Sequence, residues 1–240
     1  MSRICLRGNG IFVVLFCLLG STAQAAPQSD DFSGGAIDPA VWTLQDPLGG
    51  ALVGQAAGLL TLQVPGGPDH HPGTETNTAV HLLQDHPDTD LSLETRFETL
   101  PTEAGHFQGL VAAADDRHQI LWLILAGANG PRLGAYLYQG GYLLPLVETE
   151  REPSAMIHLR LVREGDTWTF FDSPDGYLWE WRGAINHPRA VTGIGLGAGN
   201  RGLDQETTDR DRHDPVDPGL TAADQPATPL VVEVDYFFDA

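Results

Sequence analysis

Apolar residues in this chain alternate with polar ones at every second position, and nowhere do they recur at helical spacing over the length of a helix. Leu91, Leu93, Thr95 and Phe97 alternate with Ser92, Glu94, Arg96 and Glu98, and Ile157, Leu159 and Leu161 with His158, Arg160 and Val162. Further strand candidates cover residues 59–64, 79–84, 107–114, 119–125, 132–139, 142–147, 191–199 and 230–238. A hairpin is expected where residues 167–172 and 177–182 flank Ser173-Pro174-Asp175-Gly176, because proline and glycine suit the turn. The 28 glycines and 17 prolines supply the other turns. So many short strands predict an all-β chain: two packed antiparallel sheets in a β-sandwich, with alternate side chains filling the space between them.

The first 25 residues stand apart. Arg3 and Arg7 precede an apolar run at 11–19 that is too short to span a bilayer, and Ala23-Gln24-Ala25 gives a small-x-small cleavage site. Residues 1–25 therefore read as a signal peptide and 26–240 as one exported domain, secreted or periplasmic, with no membrane insertion after cleavage. Both cysteines, Cys5 and Cys17, fall in the leader, which excludes thiol catalysis, disulfides and thiolate metal sites from the rest. The formal charge is −19, and all 13 cations are arginine. Such a surface repels phosphate backbones and anionic headgroups, so nucleic acid is excluded as the default partner.

Residues 203–229 form an acidic, proline-rich insertion without aromatics. Asp209, Asp211, Asp214 and Asp217 fail the spacing of a twelve-residue calcium loop, since His213 and Asp214 stand where it needs other groups. A solvated loop fits better.

The order of short motifs carries a resemblance. Asp31-Phe32, Asp38-Pro39-Ala40-Val41-Trp42, Gly58-Leu59-Leu60-Thr61-Leu62, Asn77-Thr78-Ala79, Gly165-Asp166-Thr167-Trp168-Thr169 and Val234-Asp235-Tyr236-Phe237-Phe238 follow one another. In that order they resemble bacterial concanavalin A-like lectin/glucanase domains, secreted laminin G-like jelly rolls. The resemblance covers nearly all of 26–240 and departs from the family in the acidic insertion. It implies a jelly-roll sandwich with one concave sheet over which glycans lie. By the same carry-over Asn77, His81, Gln108, Trp122, Tyr138 and Arg160 would bind carbohydrate, with Tyr136 nearby. Trp122 has the alternative of packing in the core, where Trp42 and Trp168 are expected. The family also implies a structural Ca²⁺ between the first and last strands, where Asp31 and Asp235 fall, although calcium needs several more oxygens.

Hydrolysis of a glycoside ordinarily needs two carboxyl groups facing one bond. The glucanases of this fold carry them in a Glu-x-Asp-x-x-Glu run, which is absent here. Glu94 and Glu98 read as a solvated face, and Glu148, Glu150 and Glu152 as a strand end entering a loop. The nine histidines are scattered, and the Gly-x-Gly-x-x-Gly at 197–202 lacks the helix that a dinucleotide site requires. The expected function is accordingly a noncatalytic, lectin-like domain binding a glycan or polysaccharide. The alternative is an adhesion domain for a surface protein, with glycoside hydrolysis behind both.

Overall fold

The computed structural model describes residues 27–73, 76–127, 130–151, 156–201 and 226–239. The expected leader at 1–25 and most of the expected insertion at 203–229 lie outside the described residues. Among the described residues there are fourteen strands: β1 (Thr43–Gln45), β2 (Leu52–Ala56), β3 (Leu59–Val64), β4 (Val80–Asp85), β5 (Leu91–Phe97), β6 (Phe107–Asp115) and β7 (His118–Gly127). They continue with β8 (Gly130–Gln139), β9 (Tyr142–Glu150), β10 (Ile157–Glu164), β11 (Thr167–Ser173), β12 (Glu180–Asn186), β13 (Gly193–Gly199) and β14 (Leu230–Asp239). Sheet I has the order β1-β4-β13-β6-β7-β8-β9 and sheet II the order β12-β11-β10-β5-β14-β3-β2. Every pairing is antiparallel, and the two sheets form the all-β sandwich that the alternation predicts.

The core between the sheets follows from period two. On β5, Leu91, Leu93 and Phe97 turn inward, while on β11 Trp168 and Phe170 do so. Each such side chain, fully buried, contributes about 1.5–3 kcal/mol relative to exposure. Trp122 lies here as well. It is wholly buried, its ring is 5.5 Å from Phe170, and its indole N–H donates to the Phe171 carbonyl at 2.8 Å. Trp42 closes the other end against Phe237, donating to Asp30 at 2.9 Å.

The expected hairpin is corrected in its second arm. Residues 177–179 precede β12, and the ladder resumes only at Glu180. Local side-chain hydrogen bonds compete for the backbone there. The Asp175 carboxylate accepts from the Tyr177 and Leu178 amides, the Ser173 hydroxyl accepts from Asp175 and Gly176, and Gly176 takes φ +74°. The short, largely exposed strands β1 and β2 leave no apolar pattern in the sequence.

Candidate active site

Sheet I carries a second apolar cluster on the face turned away from the core. In register across that face lie Leu83 of β4, Gly195 of β13, Val111 of β6, Leu121 of β7 and Tyr136 of β8. One step along are His81, Gly197, Gly109, Leu123 and Gly134. Both faces of this sheet are therefore apolar. At its β1 edge Thr43, Gln45, Leu83, Asp85, Ala113 and Asp116 line an open cleft of about 470 Å³.

At the opposite edge, β9 supplies carboxylates. Glu148 pairs in register with Gly134, and Glu150 with Arg132, so both project from the outer face beside Tyr136. The Tyr136 hydroxyl donates to Glu148 Oε1 at 2.7 Å, and Arg132 Nη2 stands 3.4 Å from the same oxygen. Burial, reinforced by Glu148, pushes the Tyr136 phenol up, so it remains a donor at any physiological pH. Gly134 makes room for this arrangement, since a Cβ there would sit 2.3 Å from the Tyr136 ring. A Gly134→Ala variant is expected to displace Tyr136 and lose the hydroxyl contact, read as a change in tyrosine fluorescence and in whatever activity Glu148 supports.

The residues expected to bind carbohydrate separate into three places. His81 and Tyr138 lie on the outer face of sheet I, both buried, with the Tyr138 hydroxyl donating to the Gly73 carbonyl at 2.7 Å. Asn77 braces the end of that face, donating to Gln119 Oε1 and the Asp116 carbonyl, both at 3.1 Å. Gln108 and Trp122 instead point between the sheets, Gln108 donating to the Thr99 carbonyl. Arg160 is on the outer face of sheet II, bound to Glu94 at 2.6 Å. The two aspartates expected to hold calcium make separate contacts. Asp31 accepts from the Ser33 amide, Asp235 pairs with Arg96 at 3.2 Å, and no group of three or more carboxylates or histidines gathers among the described residues. Of the carboxylates dismissed from sequence, Glu94, Glu98 and Glu148 all pair with arginines, and Glu148 also accepts from the Tyr136 hydroxyl, with Glu150 on the same face of β9. The alternation Glu148-x-Glu150 was the signal, hidden because an edge strand running into a loop looks like ordinary solvated surface.

Burial alone lowers the His81 pKa to about 4. The folded state thus favours neutral imidazole, while the unfolded chain binds its proton near pH 6.5. Stability is complete above about pH 6.5 and falls as pH drops toward 4, by on the order of 3 kcal/mol in all. Melting curves across that range are expected to shift down in the parent, and much less in a His81→Leu variant.

These features define a class: an antiparallel two-sheet β-sandwich with a carboxylate pair at the edge of one outer face. No protein-family model matches the chain, and no curated protein matches it in sequence. Solved structures do match. One is the GH43 BlXynB protein from Bacillus licheniformis, at 15% identity and TM-score 0.61 over 88% of this chain and 38% of that one. Another is the xylan beta-1,4-xylosidase from Bacillus halodurans C-125, at 17% identity and TM-score 0.60, over 90% of this chain and 40% of that one. A third is a glycoside hydrolase family 16 endo-glucanase from Bacteroides ovatus, at 11% identity and TM-score 0.55, over 89% and 99%. The chain thus spans about two fifths of the first two proteins and nearly all of the family 16 one. The expectation of a noncatalytic lectin-like domain is corrected by this result, since the solved structures that share the fold include glycoside hydrolases.

Proposed function

We propose that the protein is an extracytoplasmic, concanavalin A-like hydrolase that cleaves glycosidic bonds of an uncharged polysaccharide at the exposed β9 edge of sheet I. The observation that carries this reading is the Glu148/Glu150 pair, projecting from one face of β9 with Glu148 anchored by Tyr136 and Arg132. Alternate residues of a strand lie about 6.6 Å apart along it. That spacing suits two carboxyls that must flank one bond, about 5–9.5 Å apart according to stereochemical outcome. Glu148, fixed by two donors, serves as nucleophile or base. Glu150 delivers the proton to the departing glycosidic oxygen, and water supplies the hydroxyl that completes the product.

The test is release of reducing ends from soluble xylan and mixed-linkage β-glucan. Activity is expected in the parent and a fall of about 10²–10⁴-fold in Glu148→Gln and in Glu150→Gln. Equal activity in parent and variants, or none in the parent, would overturn the assignment.

A further inference from the structure

The outer face of sheet II holds a row of side chains in register across five strands. In register they are Phe238 of β14, Glu94 of β5, Arg160 of β10, Phe171 of β11 and Trp181 of β12. Four interstrand steps make the row about 19 Å long. Its two ends are open aromatic rings, Trp181 being 63% and Phe238 39% exposed. Its centre is built. Trp179 folds back so that the Arg160 guanidinium lies 3.8 Å from its ring, and Glu94 holds Arg160 through both Nε and Nη2. The other oxygen of Glu94 accepts from the Tyr236 hydroxyl at 2.8 Å, which leaves that hydroxyl's oxygen to accept from His158 Nδ1 at 2.9 Å. Tyr236 in turn stacks on Phe238 at 4.6 Å.

We infer that this row is a docking track for an extended, uncharged polysaccharide chain, separate from the carboxylate face of sheet I. The polysaccharide class rests on the function proposed above; the track itself rests on the side chains of sheet II. Rings separated by polar groups along one row suit a chain of sugars, which stack their C–H faces on aromatics and spend their hydroxyls on the groups between. A protein partner would be met better by a contiguous apolar patch. Charge selects the ligand further. Arg160 is matched by Glu94, and Arg96 by Glu98 and Asp235, so the row offers no net positive field to an anionic chain or headgroup.

The experiment is electrophoresis of the full chain in native gels containing soluble xylan or mixed-linkage β-glucan. The comparison variants are Trp181→Ala/Phe238→Ala, with unchanged melting temperature as the folding control, and Glu148→Gln. The expected result is retardation of the parent and of Glu148→Gln, weakened about tenfold or more in the double variant. The double variant should cleave short oligosaccharides at the parent's rate. Undiminished retardation of the double variant, or a parent retarded by neither polysaccharide, would overturn the track. So would light scattering that shows parent dimers split by the double substitution without any retardation, since the row would then be a contact between copies. A parent that is retarded but releases no reducing ends fails the hydrolase reading alone. Retardation lost in Glu148→Gln but kept in the double variant fails the track alone.

Discussion

A Trp122→Ala protein is expected to lose about 3–5 kcal/mol of folding stability, the usual cost of emptying a large aromatic site in a core. The residue is entirely buried, packs on Phe170 and spends its N–H on Phe171, so the truncation removes ring contacts and leaves a carbonyl without its donor. For a domain of this size each kcal/mol corresponds to about 2–4 °C, so the melting temperature should fall by roughly 6–20 °C. Trp122→Phe should recover most of the packing and none of the hydrogen bond. A Trp122→Ala protein that melts with the parent would place this side chain outside the core.

An effect of similar size is expected from Asp172→Ala. Asp172 alternates inward with Trp168 and Phe170 on β11, and its carboxylate is fully buried between the sheets. Arg182 of β12 binds one oxygen, while Arg151, directly after β9, approaches the other to 2.9 Å in an ion pair too bent for a directed hydrogen bond. Removing the carboxylate leaves two arginines at a buried site without their shared partner, which costs about 3–5 kcal/mol where one member of a buried pair is deleted. Denaturant titration measures it. The midpoint should drop with little change in slope, because the change is in native stability rather than in the surface exposed on unfolding. Since Arg151 is bonded through the chain to Glu150, the same variant should also lose polysaccharide cleavage at temperatures where it remains folded. A midpoint within experimental error of the parent would show that Arg182 and Arg151 find other partners, Glu180 being the nearest at hand.

Much of the sandwich was legible because period two survives wherever one face is buried and the other is wet. β5 and β10 are such strands, and their inward residues are the ones the alternation selects. The pattern fails on β7, where Gln119 to Leu125 is apolar on both faces because sheet I has a core on one side and a second apolar cluster on the other. Without sidedness, Trp122 could not be assigned from sequence, and the placement borrowed from the family resemblance turned it outward. Gln108 was misplaced for the same reason, on a strand buried over almost its whole length. Arg160 shows another limit. The alternation correctly sets it on an outer face, but a single strand does not say which of two sheets it will join. Glu148 and Glu150 needed the partner strand to become visible, since only the register with Gly134 and Arg132 reveals what stands beside them.

The same strand β9 also bears on the protein's solubility. It ends sheet I, so one side of its backbone faces no further strand, and a row of open N–H and C=O groups is a template for intermolecular pairing. Pro145 removes one donor from that row, a register shift between Ala135 and Tyr136 kinks it, and Glu148 and Glu150 add charge near its end. The carboxylates assigned to chemistry thus double as guards against aggregation. Exchanging both for glutamine would strip the margin of its charge while leaving the exposed Tyr142, Leu143 and Leu144 in place. A doubly neutralised protein would therefore be prone to fibrillar self-assembly at concentrations where either single variant stays in solution.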